Sequence, residues 1–173
     1  ICKREGILLI VDEVQTGVGR TGRFYAYEHY GIEPDIITLA KGLGGGFPIG
    51  CVLAKEEIAQ AFKPGSHGST FGGNPLACAC AKVVIEKVSK LLDHVEQVGQ
   101  YFKERLSTFG KVKGKGLMLG LERNENCQEV VLKALERGLL INCTSERVIR
   151  FVPPLIIQKQ HVDFAIDILK DIL

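Results

Sequence analysis

The chain has 173 residues, 46% of them hydrophobic and 24% charged, and its 22 basic and 20 acidic side chains leave a net charge of +2. That length can bury a core without disulfide staples, and the composition argues against disorder and membrane spanning. The charge balance argues against a binder of nucleic-acid phosphates, which needs a basic patch. The chain begins Ile1-Cys2-Lys3-Arg4 and its only methionine is Met118, which reads as a processed chain or a piece of a longer one.

Ile7 to Val11 is a continuous apolar run that predicts a strand buried on both faces, as in a parallel sheet. It ends in Asp12-Glu13 and leads into a glycine-rich loop, Thr16 to Gly22. Arg23 to Tyr30 predicts a short helix, and Asp35 to Ala40 a second buried strand that ends at Lys41 and a loop with Gly42, Gly44, Gly45 and Gly46. Ile49 to Ala54 reads as a third strand and Glu56 to Phe62 as a short helix. After a polar loop from Pro64 to Pro75, apolar residues spaced by three and four predict one long helix over 76–109, stopped by Gly110. Strands are predicted at Leu117–Glu122, Leu139–Asn142 and Val148–Val152, with helices at Glu129–Arg137 and Gln160–Leu173. The six cysteines form no Cys-x-x-Cys, and most read as reduced, buried thiols of a cytoplasmic-type compartment. The histidines have no metal-ligand spacing, so no metal site is expected.

Four constellations could carry chemistry. Asp12 and Glu13 follow a buried strand, where α/β ligands bind. They suit either a ligand-binding carboxylate or the metal-binding acid of a nucleotide-hydrolysing domain, but the latter needs a P-loop that this sequence lacks. Gly17 to Gly22 matches Gly-x-Gly-x-x-Gly, a weak signal by itself. Lys41 is the only charged residue between Ile36 and Ala54, so a partly desolvated, nucleophilic amine is expected there, against the alternative of a lysine snorkelling from a strand end. A Schiff-base lysine with an aspartate for a pyridinium nitrogen is the pair that pyridoxal phosphate (PLP) requires. Ser69 and Thr70 precede a helix whose N-terminus favours phosphate, although Asn74 and Pro75 there also suit simple capping. Arg150 lies among apolar strand residues and either binds a carboxylate or occupies the outer face of an alternating strand.

Together, Leu9–Gly22 (LIVDEVQTGVGRTG), Ile37–Gly46 (ITLAKGLGGG) and His67–Ala79 (HGSTFGGNPLACA) resemble class III aminotransferases of PLP fold type I. The later stretches KGKGLMLGLE, GLLINCT and IRFVPPLII are similar to the acetylornithine branch of that family. The resemblance implies an α/β fold comprising the C-terminal part of a large PLP-binding domain with a mostly parallel sheet (1–75), a connecting helix (76–109) and a small α+β domain (110–173). It implies that Lys41 carries the cofactor and Asp12 pairs with its ring nitrogen. Glu13, Val14, Gln15 and Thr70 join the cofactor-binding set, Val14 against the ring, Gln15 on its phenolic oxygen and Thr70 on the phosphate of a neighbouring subunit. Ser69 and Arg150 are implied substrate contacts. The implied reaction is ping-pong transfer of the terminal amine of N-acetylornithine to 2-oxoglutarate, a step of arginine biosynthesis, in a cytoplasmic homodimer. Ornithine, succinylornithine or 4-aminobutyrate are alternative donors. Such chains are about twice as long, so the 173 residues alone are expected to be inactive.

Overall fold

The computed structural model describes residues 1–173, which divide into two compact units. The first comprises Ile1–Gly19 and Arg23–Lys90, and the second Leu91–Leu173 together with Arg20–Gly22.

The first unit is built on a three-stranded sheet of β1 (Ile10–Asp12), β2 (Ile36–Leu39) and β3 (Cys51–Ala54), in that order. Strand β2 runs parallel to β1 and antiparallel to β3. Two single-turn helices, α1 (Cys2–Glu5) and α2 (Glu56–Ala59), flank it, and α3 (Pro75–Val88) packs through Ala77, Ala81 and Val88. The segment predicted as a helix over Arg23–Tyr30 is a 3-10 turn, Ala26–Tyr30, ended by left-handed Gly31. The run from Ile7 is not buried on both faces: Ile7 is 56% exposed, Leu8 54% and Ile10 60%. With only three strands in the sheet, these apolar side chains have no covering layer in this chain.

Asp35 ties three segments of this unit together. Its carboxylate accepts from Leu9 N at 2.8 Å and from Lys55 Nζ at 3.0 Å. The Leu9 N–H and then Lys55 hold its pKa below the usual aspartate value of 3.8. A depressed carboxylate contributes stability that is present above its unfolded-state pKa and lost as pH falls through the lower native one. Asp35→Asn should therefore flatten the fall in stability below pH ~4, read as Tm against pH. An unchanged slope would show that Asp35 does not link protons to folding.

The predicted 34-residue helix is two helices, α3 and α4 (Leu92–Leu106), broken at Ser89–Leu91. Ser89 Oγ donates to Ile85 O at 2.8 Å, competing for a helix carbonyl in the way that bends helices. The expected connecting element is thus shared between the two units.

The second unit has a four-stranded antiparallel sheet in the order β4 (Val112–Lys115), β5 (Met118–Glu122), β7 (Val148–Phe151) and β6 (Asn142–Thr144). Strand β4 escapes a hydrophobic-run reading because its sequence is Val-Lys-Gly-Lys. Strand β6 begins at Asn142, where the strand predicted from Leu139 was to end. Helices α4, α5 (Gln128–Glu136) and α6 (Lys159–Ile172) complete the unit. Its core alternates along β5 (Leu119, Leu121) and β7 (Ile149, Phe151) and meets Val95, Phe102 and Leu106 of α4 and Val162, Ile166 and Leu169 of α6. These are period-2 and period-3.6 patterns facing one another. Arg105 donates to Asp163 at 2.6 Å, joining α4 to α6 at the core's edge.

The cysteines differ from expectation. Cys127 and Cys143 form a disulfide with Cα atoms 5.5 Å apart, joining the start of α5 to β6. Cys78 is exposed, while Cys2, Cys51 and Cys80 are half-buried. The pairing arises because the fold sets residues 16 apart side by side, which linear spacing does not reveal. No helix is long and apolar enough to cross a membrane.

Candidate active site

Asp12 ends β1 and Lys41 lies just beyond the end of β2. The strands are parallel neighbours, so both residues reach the same carboxyl-terminal edge of the sheet, where open α/β sheets bind ligands. Asp12 is in register with Thr38. Its Oδ1 accepts from Val14 N at 2.8 Å and from Thr38 Oγ1 at 3.3 Å. Thr38 was missed in the sequence, although it is the one hydroxyl in its strand and sits opposite the aspartate.

Lys41 opens a 3-10 turn, Lys41–Gly44, with φ of 45°. A non-glycine residue in this left-handed region carries about 1–2 kcal/mol of strain, of the kind that clusters at functional sites. The lysine side chain is exposed and makes no ion pair, so the desolvation expected from its apolar surroundings is not present in this chain. The turn is backed by α3: a Cβ on Gly45 would lie 2.8 Å from Val84 Cγ2.

Glu13, expected among the cofactor-binding residues, turns inward and is 1% exposed. Its carboxylate accepts from Thr16 Oγ1 at 2.6 Å and Tyr27 N at 2.9 Å, and its carbonyl accepts from Gly17 N at 3.0 Å. Both carboxylate oxygens are thereby committed to the loop, so Glu13 shapes the site without facing it. Gly17 is required there, because a Cβ would lie 2.8 Å from both Glu13 O and Leu39 Cδ2. Val14 is half-buried and Gln15 exposed on the same turn. Ser69 and Thr70 are exposed in the loop before α3. Capping is confirmed there: Asn74 Oδ1 accepts from Leu76 N at 3.0 Å and Ala77 N at 3.1 Å, with Pro75 at the first helical position. This leaves the Ser69 and Thr70 hydroxyls outside the cap.

Arg150 belongs to the second unit. Alternation along β7 sends Ile149 and Phe151 into the core and Arg150 to the opposite face. Its register partners are Gly120, which has no side chain, and Asn142. Arg150 makes no ion pair with any carboxylate of this chain, and it lines a cavity of about 610 Å³ with Ile141, Asn142 and Val152.

The model of the family described as aminotransferase class-III matches residues 1–173. The chain belongs to the class III aminotransferase family. It is 66% identical over 175 residues to the acetylornithine aminotransferase of Aquifex aeolicus, covering 100% of this chain and 46% of that protein. It is 48% identical over 181 residues to the ornithine aminotransferase of Bacillus subtilis, covering 100% of this chain and 45% of that one. Among solved structures, it resembles the acetylornithine aminotransferase of Elizabethkingia anophelis with a TM-score of 0.90 and 38% identity, over 98% of this chain and 46% of the other. The ornithine aminotransferase of Toxoplasma gondii ME49 gives a TM-score of 0.92 at 38% identity, over 98% and 44%. The chain therefore spans about half the length of the curated relatives it matches. The chain has the α/β fold of those structures. The residues at the sheet edge fit PLP: an accessible amine on a strained turn lies just beyond the end of one strand, and an exposed carboxylate, oriented by Val14 N, lies at the end of its neighbour.

Proposed function

We propose that this class III aminotransferase chain, within a polypeptide of its relatives' length, serves to transfer the terminal amine of N-acetylornithine to 2-oxoglutarate. The products are N-acetylglutamate semialdehyde and glutamate. The observation that carries the reading is the pairing of Asp12 and Lys41 on adjacent parallel strand ends, supported by 66% identity to an acetylornithine aminotransferase.

PLP supplies the electron sink that stabilises a carbanion at the amine-bearing carbon. Lys41 would hold the cofactor through Nζ and, once its amine is free again, would take the proton from the substrate carbon and return it. The Asp12 carboxylate, oriented through Oδ1 by Val14 N and Thr38 Oγ1, would keep the cofactor's ring nitrogen protonated. Val14 and Gln15, on the same turn as Asp12, would hold the cofactor ring, Val14 at its face and Gln15 at its phenolic oxygen. Thr70 reaches the phosphate of a neighbouring subunit in a homodimer, and Ser69 contacts substrate. Arg150 offers a bidentate fork to a substrate carboxylate. Residues 1–75 belong to the cofactor-binding domain and 110–173 to the small domain, in a cytoplasmic enzyme of arginine biosynthesis.

The full-length protein, given 2-oxoglutarate, should use N-acetylornithine with a kcat/KM at least about tenfold above that for ornithine, read as glutamate formed. The 48% identity to an ornithine aminotransferase favours a second reading, ornithine as donor, and a reversed preference would establish it over the first.

A further inference from the structure

Arg20 follows the Asp12–Gly19 loop but belongs to the second unit. Its Nη1 donates to Leu117 O at 3.2 Å and also to Pro153 O, and its own carbonyl accepts from Leu117 N at 3.1 Å. Leu117 immediately precedes β5, and Pro153 lies two residues after β7. The last paired position of these antiparallel strands is Leu119 with Phe151, so Leu117 and Pro153 would form a further rung two residues on. Proline has no N–H and cannot form that rung. The Arg20 guanidinium spans the gap, bonding the two carbonyls from between the strand ends. Gly120 and Arg150 form the next pair inward from the Leu119–Phe151 rung. Arg20 is half-buried, has no carboxylate partner, and lies close enough to Arg150 for the two charges to repel. Two guanidinium groups without a counter-charge favour an anion beside them.

We propose that Arg20 is a positioning residue for Arg150, clamping the β5 and β7 ends so that the Arg150 fork meets a substrate carboxylate. The inference rests on the carboxylate role assigned to Arg150 above. It specifies how this chain discriminates for substrates bearing that group.

The test uses the full-length enzyme and two amine donors, N-acetylornithine and N-acetylputrescine, the same amine without the carboxylate. The ratio of their kcat/KM values is independent of how much enzyme is folded, so a destabilised variant still reports. Arg150→Ala should lower the ratio by about 100-fold, Arg20→Gln by about tenfold and Arg20→Lys by about threefold, since lysine restores the charge but not the planar, fixed direction of the Nη1 donors. In Arg20→Gln the loss should appear in KM for N-acetylornithine more than in kcat. If Arg150→Ala collapses the ratio while Arg20→Gln leaves it within about twofold, the positioning role is overturned and the role of Arg150 stands. If Arg150→Ala leaves the ratio unchanged, the carboxylate role falls, and the positioning role with it.

Discussion

Replacing Lys41 by Ala in the full-length polypeptide is expected to cut transamination at least about 10⁴-fold and to remove the visible absorbance of lysine-bound PLP. One amine serves as both the covalent anchor and the proton carrier, so its loss removes two steps at once. The fold should survive, because the lysine side chain is exposed and makes no ion pair. Strain gives the experiment a second reading. Lys41 holds φ at 45°, and alanine inherits that penalty while glycine escapes it. Lys41→Gly should therefore be about 1 kcal/mol more stable than Lys41→Ala while equally inactive. The checks are glutamate formation, the absorbance spectrum and thermal denaturation. Activity above about 1% of wild type in either variant would remove Lys41 from the mechanism.

Gly99→Ala should destabilise the C-terminal unit by about 2–3 kcal/mol, although the same change in an exposed helix would gain 0.5–1 kcal/mol. Gly99 lies on the buried face of α4, where a Cβ would sit 2.4 Å from Gly116 O, a backbone atom with no rotamer to change. Gly116 cannot retreat, because its own Cβ position is 2.4 Å from Thr21 C. Three backbone segments are thus stacked without side chains between them, and added volume must force them apart. Gln97→Ala, on the exposed side of the same helix, should stay within about ±0.5 kcal/mol and serves as the control. Equal Tm values for the two variants would show that the helix can shift to admit the methyl group.

The sheet edge was legible because its strands are written as apolar runs that end in charges, Asp12-Glu13 after the first and Lys41 after the second. What covers those runs was not legible. Continuous hydrophobicity predicted burial of Ile7–Val11 on both faces, yet burial depends on neighbouring layers that a local pattern does not contain. The break at Ser89 was hidden by side chains that keep their three-and-four spacing while one hydroxyl takes a backbone carbonyl. Glu13 shared a motif with Asp12, but adjacent residues on a strand point to opposite sides, and one of the two had to turn into the loop. Arg20 sat inside a glycine motif that was by itself a weak signal. Its partners lie 97 and 133 residues away, beyond the reach of any pattern window.

Those separations set an order on assembly. During synthesis at about 5–20 residues per second, Arg20 leaves the ribosome many seconds before Leu117 and Pro153 exist to receive it. The clamp on the second unit is therefore among the last long-range contacts available to the nascent chain, and closing so long a loop carries an entropic cost that local strand pairing does not. A polypeptide beginning at Leu91 would contain every strand of that sheet and still lack the guanidinium between its two central strands. A short peptide carrying Arg20–Gly22, added separately, would be the missing piece.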